Sequence, residues 1–392
     1  MLRDTILFVV LACYCCLVAS FGSAELPPNE TVSFKFSTWH LHDSLEVQTV
    51  WIPMLEELRE QSNGRISYTL LDSAMLGSGP EHYDIVAKGI SDMGYGTLTW
   101  LPGSFPLTDV LSLPAAIKSK ETATDIGNAM LERILSPEFL AVKVLEVNGC
   151  VDSCLWTRRP VHSRADVAGL RIRSPGGMQT RCIESLGAQA IFMPMSQVYA
   201  AMENGSIDGV VTCPSMYLSF GLYKAASYGT LATFGCVDEG LFMNLDSWNR
   251  TPGDLKAIIT SVCSNPYMAT GAMSEQSYSR MMRDIEDRGV ELYVLPPEEA
   301  EMWYAGFQNV TRIWAEELEA IGLPAKEAVV IFNQECEKRG ARCVAFPPEW
   351  KQKWSESSEY VSFSSKHFLQ LISLGHIEQG AKNIAAAFTG AY

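Results

Sequence analysis

The stretch RPVHSRADVAGLRIRSP, residues 159–175, decides how this chain is read. A turn over Asp166–Gly169 leads into a short alternating strand, Leu170 and Ile172, which ends on Arg173 just before Ser174-Pro175. Proline holds the residue before it extended and is tolerated in the first turn of a helix, so the arginine stands at a strand-to-helix junction. The next segment, 176–186, can begin a helix whose first amides favour an anion. An arginine fixed at the carboxyl end of a strand, beside a helix start, is placed to grip a carboxylate through two parallel hydrogen bonds. Arg173 is therefore the leading candidate for a ligand-binding residue.

Working outward from it, strand and helix signals alternate. Residues 33–39 alternate as a strand. Val47, Val50, Trp51, Met54, Leu55 and Leu58 then recur at helical spacing, with Pro53 as a kink and Gly64 as a stop. Ile66, Tyr68 and Leu70 form the next strand, 80–88 a helix closed by Gly89, and 92–96 another strand. That order is the mark of an α/β domain with a largely parallel sheet, in which ligands sit past the carboxyl ends of strands. Trp39 and the loop from Tyr95 to Trp100 should then border a cleft. Beyond Pro175 the pattern repeats: a helix after Ser196, a buried strand at 207–211, a long helical segment from Thr251 to about Arg288 interrupted by Pro266, a strand at 290–295, and helices at 297–321 and 325–339. A helix of the length of 251–288 would run ~50 Å, enough to join two lobes.

Composition sets the class. The 392 residues are 47% hydrophobic and 19% charged, which fits a soluble globular protein with room for two cores. A net charge of −15 argues against nucleic acid as a partner, so any capture of an anion has to be local. Residues 1–24 have the form of a secretory signal: Arg3, the apolar run from Ile6 to Val18, then Gly22-Ser23-Ala24. Val10-Leu11-Ala12-Cys13 loosely matches a lipoprotein box, with a short apolar core before it. Eight cysteines lie beyond that segment. Cys336 with Cys343, or Cys150 with Cys154, could form local disulfides, and buried free thiols are the alternative. No zinc-spaced Cys/His cluster occurs; His40 and His42 share a strand face without a third ligand, which favours a cleft rim over a metal site. Nucleophile elbows, HExxH and phosphate loops are absent too, so neither catalysis nor a cofactor is expected.

The runs GLRIRSP at 169–175, SLGA at 185–188 and MPMSQVYAAMENGSIDG at 193–209, with NGRI at 63–66, GISDMG at 89–94, FPL at 105–107, LP at 113–114 and Met243-Asn244 near Trp248 and Pro252, resemble the DctP-type solute-binding proteins of tripartite ATP-independent periplasmic (TRAP) transporters. The resemblance covers most of residues 31 to about 320. It implies a two-lobed periplasmic-binding-protein-like α/β fold with mixed sheets, flanking helices and a long helix spanning both lobes. It also implies a periplasmic protein that closes over a small organic acid and hands it to integral-membrane permease subunits. In that family the arginine matching Arg173 pairs with the ligand carboxylate, while Trp39, Thr97, Met195, Thr212 and Asp238 fall at or near cleft positions; Tyr95, Trp100 and His42 are added from their loop positions. Asp152-Ser153-Cys154 stands where sialic-acid-binding relatives carry a second arginine, and Thr212-Cys213-Pro214 departs from the family's usual asparagine before proline. The expected organisation is a signal peptide at 1–24, a first lobe from 31–150 with 240–278, a second from 151–239 with 279–340, and a helical extension at 341–392. A ligand-sensing module that docks on a signalling receptor is the alternative function.

Overall fold

The computed structural model describes residues 31–101, 103–267, 273–351 and 363–373. The signal segment and most of the extension's last residues lie outside these. The strands are β1 (Val32–Ser37), β2 (Ile66–Leu71), β3 (Met93–Thr97), β4 (Val142–Gly149), β5 (Cys154–Thr157), β6 (Arg171–Ser174), β7 (Gln189–Phe192), β8 (Gly209–Thr212), β9 (Tyr228–Thr230), β10 (Asp238–Asn244) and β11 (Glu291–Tyr293). They form two mixed sheets, ordered β2-β1-β3-β10-β4 and β11-β9-β5-β8-β6-β7. In the first, β1 runs parallel to β2 and β3 while β10 is antiparallel to β3 and β4. In the second, β6 is parallel to β7 and β8, and β5 is antiparallel to β8 and β9.

The chain passes between the sheets at 150–153, from β4 to β5, and at 231–237, from β9 to β10. These two crossings are tied to each other, since Cys150 N donates to Val237 O (2.9 Å) and Ser153 N to Gly235 O (2.9 Å). The first lobe is packed by Phe36, Trp51, Leu55 and Ile259, the second by Trp156, Val198, Met202 and Tyr217. The Trp156 and Tyr217 rings stack with centroids 3.9 Å apart. A third apolar cluster runs through both lobes, from Val147 and Leu111 past Phe234 in the second crossing to Ile172 and Trp303.

Local signals set most boundaries well. Around Pro53 the winding changes from a π-helical turn at Val47–Trp51 to the α-helix Ile52–Gln61, with proline in its first turn, where a missing amide costs nothing. The decisive stretch folds as a helical turn at Arg164–Val167, β6, and the helix Gly177–Ser185.

Three expectations need correction. The segment 251–288 is no continuous connector: one helix ends at Cys263, ahead of Pro266, and another runs Glu275–Asp287 against the helix Pro214–Ser219 of the second lobe. The helix that bridges the lobes is Pro297–Ala320, ~36 Å long at about 1.5 Å per residue; it packs on Gly177–Ser185 of the second lobe and on Ala325–Lys338. Ala325–Lys338 in turn rests on Lys120–Met130 of the first lobe, although its sequence position placed it with the second. Cys336 and Cys343 are both buried unbonded thiols in the shared core, filling space as small apolar groups. Cys150 likewise is not joined to Cys154. In the extension, Ser365–Ser373 forms a helix that buries Phe368, Leu371 and Ile372 against Leu323. No described helix is long and apolar enough to cross a membrane.

Candidate functional site

The carboxyl ends of β1, β3 and β4 in the first sheet face those of β6, β7 and β8 in the second. Across the gap, a Cβ placed on Gly176 would stand 3.2 Å from the Thr99 carbonyl oxygen, so the lobes are already in contact here. A cavity of about 20 Å³ is lined by His40, Tyr95, Lys120, Cys150, Glu239 and Tyr267 of the first lobe and its hinge and by Ser215 and Met216 of the second.

Arg173 occupies the end of β6 and is 1% exposed. Its Nε donates to Met193 O (3.1 Å), past the end of β7, and its Nη1 to Val211 O (3.4 Å) in β8. No described carboxylate forms an ion pair with it. Burial pushes its pKa down to about 10, with the Cys213 thiol as the opposing neighbour. The buried cations among the described residues are Arg173 and Lys120, and their situations differ. Lys120 opens the helix Lys120–Met130 and pairs with Glu239. Burial works against its charge, and Glu239, with Tyr267 and Cys150, offsets that and holds the ammonium well above its ordinary value. Tyr95 OH donates to Glu239 Oε2 (2.8 Å), and Tyr267 OH to Tyr95 OH (3.2 Å), which closes the network.

The remaining expected site residues separate into groups. Thr97, at the end of β3, is buried with an unpartnered Oγ1, and the indole Nε1 of Trp39 is also buried without a partner. Trp39 packs against Trp100 with ring centroids 5.1 Å apart, Trp100 covers Gly79, and neither tryptophan lines the cavity. Asp238, first residue of β10, buries both carboxyl oxygens without a hydrogen-bond partner. Burial and then the nearby Asp109 carboxyl hold it well above the ordinary range. Tyr95 lines the cavity, and Thr212, last in β8, uses its carbonyl to accept from Trp156 Nε1 (2.9 Å). Met195 instead packs in the second-lobe core with Trp156 and Val198. His42 points outward, its side chain 60% exposed and bonded to Asp72 Oδ2 at 2.6 Å.

The strand-face expectation for the two histidines fails because β1 ends at Ser37, so His40 and His42 no longer alternate as strand residues. His40 is inside, its Nδ1 2.8 Å from Thr38 Oγ1, and burial lowers its pKa to about 4. Among the described residues no group of three potential metal ligands gathers. Lys120, Glu239 and Tyr267 had no local signal: a lysine after an N-capping serine reads as a solvated first turn, and its acid lies more than a hundred positions away in the sequence.

A family model for DctP, the bacterial extracellular solute-binding proteins of family 7, matches residues 36–317. The chain belongs to this family. Among relatives, a solute-binding protein of Chromohalobacter salexigens is 25% identical over 244 residues, 60% of this chain and 72% of the relative. The C4-dicarboxylate-binding periplasmic protein DctP of Rhodobacter capsulatus is 21% identical over 286 residues, 70% of this chain and 83% of that protein. The crystal structure of a TRAP solute-binding protein from Rhodoferax ferrireducens, in complex with copurified benzoate, superposes with a TM-score of 0.72 at 21% identity, covering 79% of this chain and 99% of the other. The two-lobed architecture of this DctP-family member is thus that of TRAP solute-binding proteins.

Proposed function

We propose that this DctP-family protein is exported through its signal segment, captures a small organic acid as an anion between its lobes, and delivers it to a TRAP permease. The observation that carries the reading is Arg173: a guanidinium 1% exposed, bonded to two backbone carbonyl oxygens and to no described acid. A buried unpaired charge is costly, and a ligand carboxylate supplies the missing partner. Because Lys120 is already neutralised by Glu239, Arg173 is the buried cation left for the guest among the described residues, which favours a monocarboxylate over a dicarboxylate. The cavity lined by His40, Tyr95 and Tyr267, though not by Arg173 itself, offers aromatic walls that suit a flat apolar body. Benzoate in the Rhodoferax structure has that shape, whereas the Rhodobacter relative takes C4-dicarboxylates. A space of about 20 Å³ holds little more than one water, so the guest enters with the lobes apart and its differential contacts drive closure about the crossings 150–153 and 231–237.

Calorimetry with benzoate and succinate tests this. Benzoate should bind more tightly than succinate. Arg173→Ala should weaken benzoate by roughly 2–5 kcal/mol, because its carboxylate would be buried without a partner. An unchanged dissociation constant in the variant removes the proposal, and tighter succinate binding overturns the assignment of charge. Mass spectrometry of acids that copurify with the protein names the natural guest.

A further inference from the structure

We propose that Cys150 and Cys213 are a redox latch that, when oxidised to a disulfide, staples the two lobes together on the cleft side of their hinge. Their Sγ atoms are 3.4 Å apart, in van der Waals contact and unbonded. Cys150 closes the first-lobe sheet at the start of the first crossing, and Cys213 caps the helix Pro214–Ser219 in the second lobe. Sequence order hides the pairing, since 63 positions separate the two residues. Bringing the sulfurs into bonding range takes a side-chain rotation of somewhat over ~1 Å, because a disulfide bond is about 2.05 Å long.

The other described cysteines, 154, 182, 236, 263, 336 and 343, are all buried, whereas Cys150 is partly exposed and lines the cavity. Cys150 is thus the first thiol that a small oxidant meets when the lobes part. In the closed form the contact between the two thiols lowers Cys213 to about 7 and, with burial, holds Cys150 well above the ordinary thiol value; parting the lobes breaks that contact and frees Cys150 to ionise. The oxidant class is a disulfide, as befits an exported protein. Cys150, as thiolate, attacks one sulfur of RSSR and expels RS⁻, giving a mixed disulfide; on closure the Cys213 thiolate attacks the Cys150 sulfur and expels the second RS⁻. The two protons lost by the cysteines end on the two leaving thiolates, so the net change is two protein thiols plus RSSR giving one protein disulfide plus two RSH.

The latch depends on the two-lobed hinge and not on any ligand, so its test needs none. The full chain is treated with oxidised glutathione, digested without reduction and sequenced by tandem mass spectrometry, while hydrogen exchange is followed on the same samples. A Cys150–Cys213 cross-link should dominate, and amides at 150–153 and 231–237 should exchange about tenfold or more slowly than in the reduced protein, reversed by dithiothreitol. Cys213→Ser should retain glutathione on Cys150 and exchange at the reduced rate. Glutathione left on Cys150 of the wild type, a link to another cysteine, or a cross-link with unaltered exchange each overturns the latch; the wild-type comparison decides even where the variant folds poorly.

Discussion

Two buried basic side chains, Arg173 and His40, meet the cost of burial in opposite ways. Arg173 stays charged, because a guanidinium lowered only to about 10 cannot shed its proton at neutral pH. His40 goes neutral, with a pKa lowered from 6.5 to about 4 by burial and one ring nitrogen tied to Thr38. Between those two values the unfolded chain binds a proton that the folded chain refuses, so stability rises with pH across the window and is lost on acidification from pH 6.5 towards 4. At about 1.4 kcal/mol per pKa unit, the full window amounts to about 3 kcal/mol. Glu146, pushed up to about 7 by burial, tilts the profile the other way by favouring the folded form at low pH. It is common to both proteins when wild type is compared with His40→Gln. Urea unfolding at pH 7 and pH 4.5 should show the wild type losing about 2 kcal/mol more than the variant; equal losses would mean that His40 takes up its proton without unfolding.

At the level of elements, the junction from β6 to the helix Gly177–Ser185 brings one lobe against the other. Gly176 there has φ +113° and ψ −168°, a conformation that side chains other than hydrogen rarely adopt. Gly176→Ala carries a strain of about 1–3 kcal/mol in any form of the protein, and its new methyl meets the Thr99 carbonyl oxygen only when the lobes are closed. Its melting temperature should fall and its radius of gyration in small-angle scattering should increase. Gly64→Ala is the control, with φ +77° but open space around it: similar strain, no change in radius. An unchanged radius for Gly176→Ala would mean that the lobes tolerate the methyl without parting. This junction was legible in the sequence because a proline, a glycine pair and an alternating triplet are all local marks. The strands that carry the crossings were not. β4 and β10 bury Glu146, Asn148, Asp238 and Glu239, polar residues that spoil an apolar run, and their partners are set by distant sequence. For the same reason Arg173 could be singled out as a candidate while Lys120 and Glu239 could not. A helix at 325–339 was likewise legible, but not which lobe it covers.

For the whole molecule, charge poses a problem that the proposed guest must overcome. The chain carries a net −15, and residues 1–24 hold one basic and one acidic residue, Arg3 and Asp4, so the figure is the same without them. An organic anion is therefore repelled at long range and attracted only once Arg173 is within reach. The two ranges respond differently to salt. The outer field is screened as the Debye length falls from about 30 Å at 0.01 M to below 10 Å at 0.3 M, whereas the contact between a carboxylate and a guanidinium buried by closure is shielded from ions. Association of benzoate should therefore quicken with salt, by up to about tenfold over that range, and dissociation should change little. Stopped-flow fluorescence can follow both rates, since Trp39 stacks on His40, which lines the cavity. The affinity of this acidic protein for an acid would then improve with ionic strength, the reverse of electrostatically steered pairs. An association rate that falls as salt rises would instead place a basic funnel at the cleft mouth strong enough to overrule the net charge.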